Sequence, residues 1–164
     1  MARRTLASLV RRRLSVLRGH RLMEAGRAAD MAWFAFERPG LEPAGWSLHV
    51  QCAWRLDGPR GPEVASGDLW ETADPDDPRP IEAPDGYDHI PNLRDRNADR
   101  LFQSVGAKPK ILFFKSVAAQ DSGDVVLNLS GSYALRLFVN HTRGEAWRLL
   151  PRPPGRHFVV PPEP

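Results

Sequence analysis

Residues 46–56 read WSLHVQCAWRL. Trp46, Leu48, Val50, Cys52, Trp54 and Leu56 occupy every second position, with Ser47, His49, Gln51, Ala53 and Arg55 between them. Successive side chains of a strand point to opposite faces, so this run predicts one strand with a buried face and a wetter face. The flanking sequence agrees. Upstream, the run MAWFAF at 31–36 is apolar on both faces, as suits a central strand or one covered by a helix, and Arg38-Pro39-Gly40 closes it. Downstream, a turn around Gly58 to Gly61 leads into residues 64–70, expected as an antiparallel partner with a bulge at Gly67.

The last third of the chain repeats the pattern. Residues 110–117, 125–129 and 133–140 alternate, and Ser130-Gly131-Ser132 joins the latter two as a hairpin. Residues 145–150 and 157–160 read as two further short strands, separated by Pro151, Pro153 and Pro154. Helices are few. Leu6, Leu9, Val10, Leu14 and Leu17 fall within an arc of about 140° at 100° per residue. Arg3, Arg4, Arg11, Arg12 and Arg18 lie largely off that arc, which predicts a basic amphipathic helix over 1–19 ended by Gly19. A second, short helix is expected from Pro91 or Asn92 through Phe102.

The expected fold class is α+β: a mostly antiparallel sheet or curved half-barrel of seven to eight strands, with the N-terminal amphipathic helix and the short mid-chain helix. At 164 residues the chain has the length of one domain. Residues 1–164 are therefore read as a single α+β domain that carries an acidic, Pro-rich loop over 71–92. A composition of 41% apolar and 26% charged residues excludes wholesale disorder. No apolar run reaches the roughly 18 residues of a membrane helix. The single cysteine, Cys52, excludes an internal disulfide and a four-cysteine zinc site.

Charge is unevenly placed. Residues 1–30 hold eight Arg against Glu24 and Asp30, a balance of +6. Residues 68–99 hold ten carboxylates against Arg79, Arg94 and Arg96, a balance of −7. Such asymmetry points to a polyanion-binding arm, an acidic recognition loop, or two solvated regions that attract one another. The acidic residues Asp74, Asp76, Asp77, Asp85 and Asp88 are the candidate contacts for a basic protein partner. Arg11, Arg12, Arg13 and Arg18 of the helix, with His49 and Arg55 of the strand, are the candidate contacts for an anion or nucleic acid. Arg136 and Arg148 join His49 and Arg55 in one cationic face if their strands are neighbours.

Catalytic signals are sparse. The sequence has no G-x-S-x-G elbow, no phosphate-cradling Gly-Lys-Thr loop and no G-x-G-x-x-G after a strand. His49 and Cys52 are three apart and face opposite sides of a strand, and the other histidines lack zinc-site spacing. Cys52 shares a face with Val50 and Trp54 and reads as a small buried hydrophobe. Asp76-Asp77 and Asp85 with Asp88 fit no EF-hand and read as solvated acids. No cofactor, metal or catalytic residue is therefore expected. Arg3-Arg4 precedes too short an apolar stretch for an export signal, so cytoplasmic residence is expected.

Three stretches, GRAADMAWFAF at 26–36, SLHVQCAWRL at 47–56, and ALRLFVN, GEAWRLL and HFVV between 134 and 160, resemble a group of small proteins typical of high-GC actinobacteria. No activity attaches to that group, and the resemblance implies no catalytic residues. Small α+β proteins of this kind resemble immunity or accessory proteins encoded beside toxins. The functional expectation is a non-enzymatic protein-binding module. Nucleic-acid binding through the Arg-rich helix is the alternative, and an enzyme with a site on the polar sheet face is the third.

Overall fold

The computed structural model describes residues 5–38, 40, 45–76, 92–102, 110–152 and 155–161. A helix, α1 (Leu6–Leu14), opens the fold, with Thr5 as its N-cap accepting from the Ser8 amide at 3.2 Å. A short 3₁₀ turn extends it to Leu17, and Gly19, at a φ of +79°, ends it. Strands follow: β1 (Arg21–Ala28), β2 (Met31–Glu37), β3 (Gly45–Val50), β4 (Ala53–Gly58) and β5 (Gly61–Ala65). After a 3₁₀ turn at Ser66–Trp70 comes α2 (Leu93–Phe102). The chain then returns to strands: β6 (Leu112–Ala119), β7 (Val125–Leu129), β8 (Ala134–Phe138), β9 (Trp147–Arg152) and β10 (Phe158–Val160).

All ten strands form one antiparallel open sheet, in the order β10-β9-β3-β2-β1-β6-β7-β8-β4-β5. β3 and β4 are separated only by Gln51 and Cys52, yet they hold the third and ninth places in that order. The sheet must therefore curl until its two arms face each other. At the corner, the Gln51 and Cys52 amides both donate to the Ala146 carbonyl, at 2.8 and 3.0 Å. Phe34 of β2 meets Trp54 of β4 edge to face across the core, with centroids 5.0 Å apart. β1 and β6 form the seam between the arms, paired only at Arg21 with Phe113 and Leu22 with Leu112.

The expected single strand over 46–56 is thus two strands, and its period-two pattern survives the break. Leu48, Val50, Cys52, Trp54 and Leu56 are all buried, because both halves of the bent segment enclose the same core. The sheet has ten strands rather than seven or eight for that reason and for one other. β1 escapes the pattern because a register shift between Leu22 and Glu24 breaks its alternation. It also carries Gly26, whose place leaves no choice: a Cβ there would lie 2.3 Å from the Trp33 indole. The strand expected over 64–70 is shorter, since Ser66–Trp70 is a 3₁₀ turn and Gly67 lies within that turn rather than at a bulge.

α1 docks by the stripe the sequence displays. Val10, Leu14 and Leu17 are fully buried in the main core, while Leu6 packs on its edge. The Ala7 amide donates to Asp121 at 2.8 Å, fixing the helix start to the turn after β6. On the far arm, Trp147 of β9 is fully buried and its Nε1 donates to the Gly123 carbonyl at 3.0 Å. Gly123 sits at a φ of +94°, and a Cβ there would come within 3.0 Å of Val160. This contact closes one arm over the β6–β7 turn.

Trp147→Ala should therefore lower stability by about 3–5 kcal/mol, the range for emptying a large aromatic site. Urea unfolding at unchanged m-value measures it, and a loss below about 1 kcal/mol would contradict this closure.

Candidate functional site

α2 gathers the polar side chains of one end of the molecule. Asn92 caps it and is nearly fully buried. Its Oδ1 accepts from the Asp95 amide and its Nδ2 donates to the Asp95 carboxylate, each at 2.9 Å. Asn and Asp three apart make this reciprocal cap, which also places a carboxylate in the first turn, where the helix dipole favours it. Asp95 then serves as a hub. Arg27 of β1 donates from Nε to both of its oxygens, at 3.1 and 2.9 Å, and Arg94 Nε lies 3.7 Å away. Arg94 is 3% exposed, and its Nη1 donates to the Asp30 carbonyl in the β1–β2 turn at 3.2 Å. Burial holds the Arg94 pKa below its ordinary value, with the Asp95 charge opposing.

The same helix pins the start of the acidic segment. Thr72 bridges Asn92, the Leu93 amide donates to the Glu71 carbonyl at 2.8 Å, and Arg96 donates to the Ala73 carbonyl. Asp74 and Asp76 are exposed, and local bonds shape this piece: the Asp74 amide to Thr72 Oγ1 at 3.2 Å and the Asp76 amide to Asp74 Oδ1 at 3.0 Å. Asp77, Asp85 and Asp88 lie outside the described residues. Immediately before the acids, Trp70 is 59% exposed, while its neighbour Leu69 is buried.

Between α2 and the β1–β2 hairpin lies a cavity of about 230 Å³. Phe34, Trp54 and Ala98 give it apolar wall, and Arg94, Asp95 and Asp99 give it polar wall. Burial, with the nearby Asp95 charge, raises the Asp99 carboxyl above its ordinary pKa.

The basic candidates sit elsewhere. Arg11, Arg12, Arg13 and Arg18 are all exposed on the outer side of the docked first helix. Arg11 reaches the Ala119 carbonyl at 3.4 Å, and Arg13 lies over the Phe158 ring at 5.6 Å. On the sheet, the strands in question are neighbours, but in two separate places. His49 is opposite Arg148 on β3 and β9, and Arg55 is opposite Arg136 on β4 and β8. Each place has its own carboxylate. Arg55 and Arg136 both grip Asp57 at 2.6 Å, and Arg148 Nη2 donates to Glu145 at 2.6 Å. A continuous cationic face does not result.

Burial and then the Arg148 charge hold His49 below its ordinary pKa. Asp57 is lowered too: burial alone would raise it, but hydrogen bonds from Arg136 and Arg55 outweigh that. Cys52 is buried and its thiol is pushed up to about 11, mainly by that burial, which leaves it the inert hydrophobe expected. Among the described residues no group of three or more His, Cys, Asp or Glu could hold a metal ion. No described helix is long and apolar enough to cross a membrane.

The helix after the acidic segment is legible in the sequence, whereas the hub beneath it is not. The Asn92-x-x-Asp95 spacing was a readable capping signal. The Arg27–Asp95 pair spans 68 residues and left no local trace. No family model, curated protein or solved structure matches the chain.

Two substitutions should show opposite pH signatures. Asp57, with a depressed pKa, contributes stability above its unfolded value of about 3.9, and that contribution is lost as pH falls through the folded value. Asp57→Asn should thus cost about 1 kcal/mol near pH 7, discounted for its half-exposed arginines, and progressively less in acid. Asp99, with a raised pKa, disfavours folding once ionised, so Asp99→Asn should be neutral or stabilising near pH 7. Urea midpoints between pH 3 and 7 measure both, and equal shifts at all pH values would refute the assignment.

Proposed function

We propose that the protein is a non-enzymatic binding module, of immunity or accessory type, whose docking surface is Trp70 with the acidic segment that follows it. One observation carries this reading: the Trp70 side chain stands 59% exposed at the end of a 3₁₀ turn anchored by buried Leu69. Binding energy concentrates in a few residues, and tryptophan is among the commonest of them. Backbone hydrogen bonds to α2 restrain the chain just after Trp70, so little ordering entropy opposes docking there.

Charge then states the partner's chemistry. Glu71, Asp74 and Asp76 adjoin Trp70, and Asp77, Asp85 and Asp88 continue the acidic sequence. A basic protein surface with an apolar notch for an indole is complementary to this. Nucleic-acid binding through the first helix is the second reading, supported by the exposure of Arg12 and Arg18 on its outer side. Removing that helix would be a poor test, since Val10, Leu14 and Leu17 belong to the core.

The test uses the full chain as bait in nuclease-treated lysate of its native host, beside Trp70→Ala and an Asp74→Asn/Asp76→Asn pair. A stoichiometric protein is expected with the parent chain, reduced at least tenfold by Trp70→Ala and weakened by the acid pair and by salt. Equal capture by all three baits would overturn the proposal. So would capture that vanishes with nuclease and with Arg12→Glu/Arg18→Glu, which supports the nucleic-acid reading instead.

A further inference from the structure

Large apolar side chains are exposed at few places. Among the described residues they are Val16, Trp70, Ile111, Phe113 and Phe138, and Arg55 lies over the ring of Phe138. Trp70 belongs to the surface proposed above. The other three, each between 40% and 48% exposed, sit on two elements in contact: the 3₁₀ turn after α1, and β6 with the residue before it. Alternation explains the β6 half. Leu112 and Phe114 are buried, so Ile111, Phe113 and Lys115 face outward, and Phe113 stands opposite Arg21 of β1. On the helix side, Arg11 reaches the Ala119 carbonyl of β6 and Arg13 lies over Phe158 of β10, so α1 sits between those strands. The stripe between these two flanks holds Arg12 and, one turn on, Val16, both exposed.

We propose that this face docks the protein on an anionic phospholipid surface, lying on the bilayer without crossing it. Peripheral attachment needs apolar side chains that enter the acyl boundary and cations that meet the headgroups. Lys110 and Lys115 flank Ile111 and Phe113, Arg12 and Arg18 flank Val16, and all four cations are exposed. Such side chains keep their methylene stems among apolar groups while the charge reaches the headgroup layer. The adjoining carboxylates are fewer: Asp121 accepts from the Ala7 amide, Glu37 stands opposite Arg21 with Arg152 3.9 Å away, and Glu24 is exposed farther along β1. The excess of cations selects anionic over zwitterionic lipid. A nucleic acid would use the same cations, but Val16 and Ile111 can neither stack on a base nor hydrogen-bond to a phosphate. Because Val10, Leu14 and Leu17 hold the helix in the core, the face is already formed and little ordering opposes docking.

The probes are equimolar phosphatidylglycerol–phosphatidylcholine vesicles, with pure phosphatidylcholine vesicles and a duplex DNA as controls. Sedimentation of the full chain with vesicles measures binding. The mixed vesicles should bind at least tenfold more tightly than pure phosphatidylcholine. Ile111→Ser/Phe113→Ser and Arg12→Glu/Lys115→Glu, all exposed positions, should each weaken that binding at least tenfold. A second measurement avoids those variants. An environment-sensitive thiol dye at Phe113→Cys should shift to the blue on mixed vesicles, and the same dye at Arg60→Cys, in the β4–β5 turn, should not. Cys52 is buried and stays unlabelled. No binding to mixed vesicles, or no shift of the dye at position 113, would overturn the proposal. Binding that the Ile111/Phe113 pair leaves unchanged would reduce it to general charge attraction and overturn it too. Duplex DNA that binds more tightly and displaces the vesicles would overturn it in favour of the nucleic-acid reading.

Discussion

A covalent constraint governs the shape of this molecule: β3 and β4 are joined by two residues but belong to opposite arms of the sheet. A flat ten-stranded sheet would set the third and ninth strands nearly 30 Å apart, at about 4.8 Å per strand. The two residues between them span about 10 Å at most. Only a sheet coiled back on itself satisfies both, and coiling turns one face into an enclosed core. The Ala146 carbonyl, accepting from both corner amides, and the Phe34–Trp54 contact make that geometry stable as well as necessary. Coiling also leaves ends, and the two helices pack against the sheet there by different means. α1 uses an apolar stripe, whereas α2 combines polar contacts at its start with buried Leu101 and Phe102 at its end.

That difference sets how each helix is held. The first helix contributes Val10 and Leu14 to the main core, so its arginines are free to remain solvated without weakening its attachment. The second contributes Leu101 and Phe102 to the same core from its last turn and is held at its start through Asp95, Asn92 and Arg94. Asp95 links α2 to β1, Arg94 links it to the β1–β2 turn, and backbone bonds link it to the residues after Trp70. The start of α2 rests on polar bonds, whose net energies are small, so that end loosens more readily than the end that carries Leu101 and Phe102. The acidic segment and the cavity both depend on this one element.

Legibility in the sequence followed the range of the interactions. Strands β2, β7 and β8 and the helices were readable because a period or a cap is written within a few residues. The break at Gln51–Cys52 was not, since a corner that keeps the same face inward leaves period-two alternation intact. β1 was hidden by its register shift and by Gly26, whose meaning depends on Trp33 lying across it. Charges were legible as amounts and not as partners. Arg55 and Arg136 looked like half of a cationic face, and only the pairing of β4 with β8 shows Asp57 answering both. The acidic candidates were found by composition alone, whereas the cavity required contacts between residues near positions 25, 54 and 95.

Arg94 is the residue whose presence stability explains least. Burying a guanidinium costs several kcal/mol unless its neighbours restore what water supplied, and apolar replacements of buried ionic groups are often more stable. Its bond to the Asp30 carbonyl could be given by a neutral donor, and Asp95 already has Arg27 and Asn92. What Arg94 adds is a buried positive charge, one of whose N–H groups has no partner among the described residues. Elsewhere in the structure the charges near Asp57 and Glu145 are matched in the half-exposed zone, where mismatch would cost little. At α2 the mismatch is buried, where it costs most. The same lack of a partner among the described residues recurs at Arg21 Nε, so a buried guanidinium N–H left unmet is a cost this fold carries at both β1 and α2.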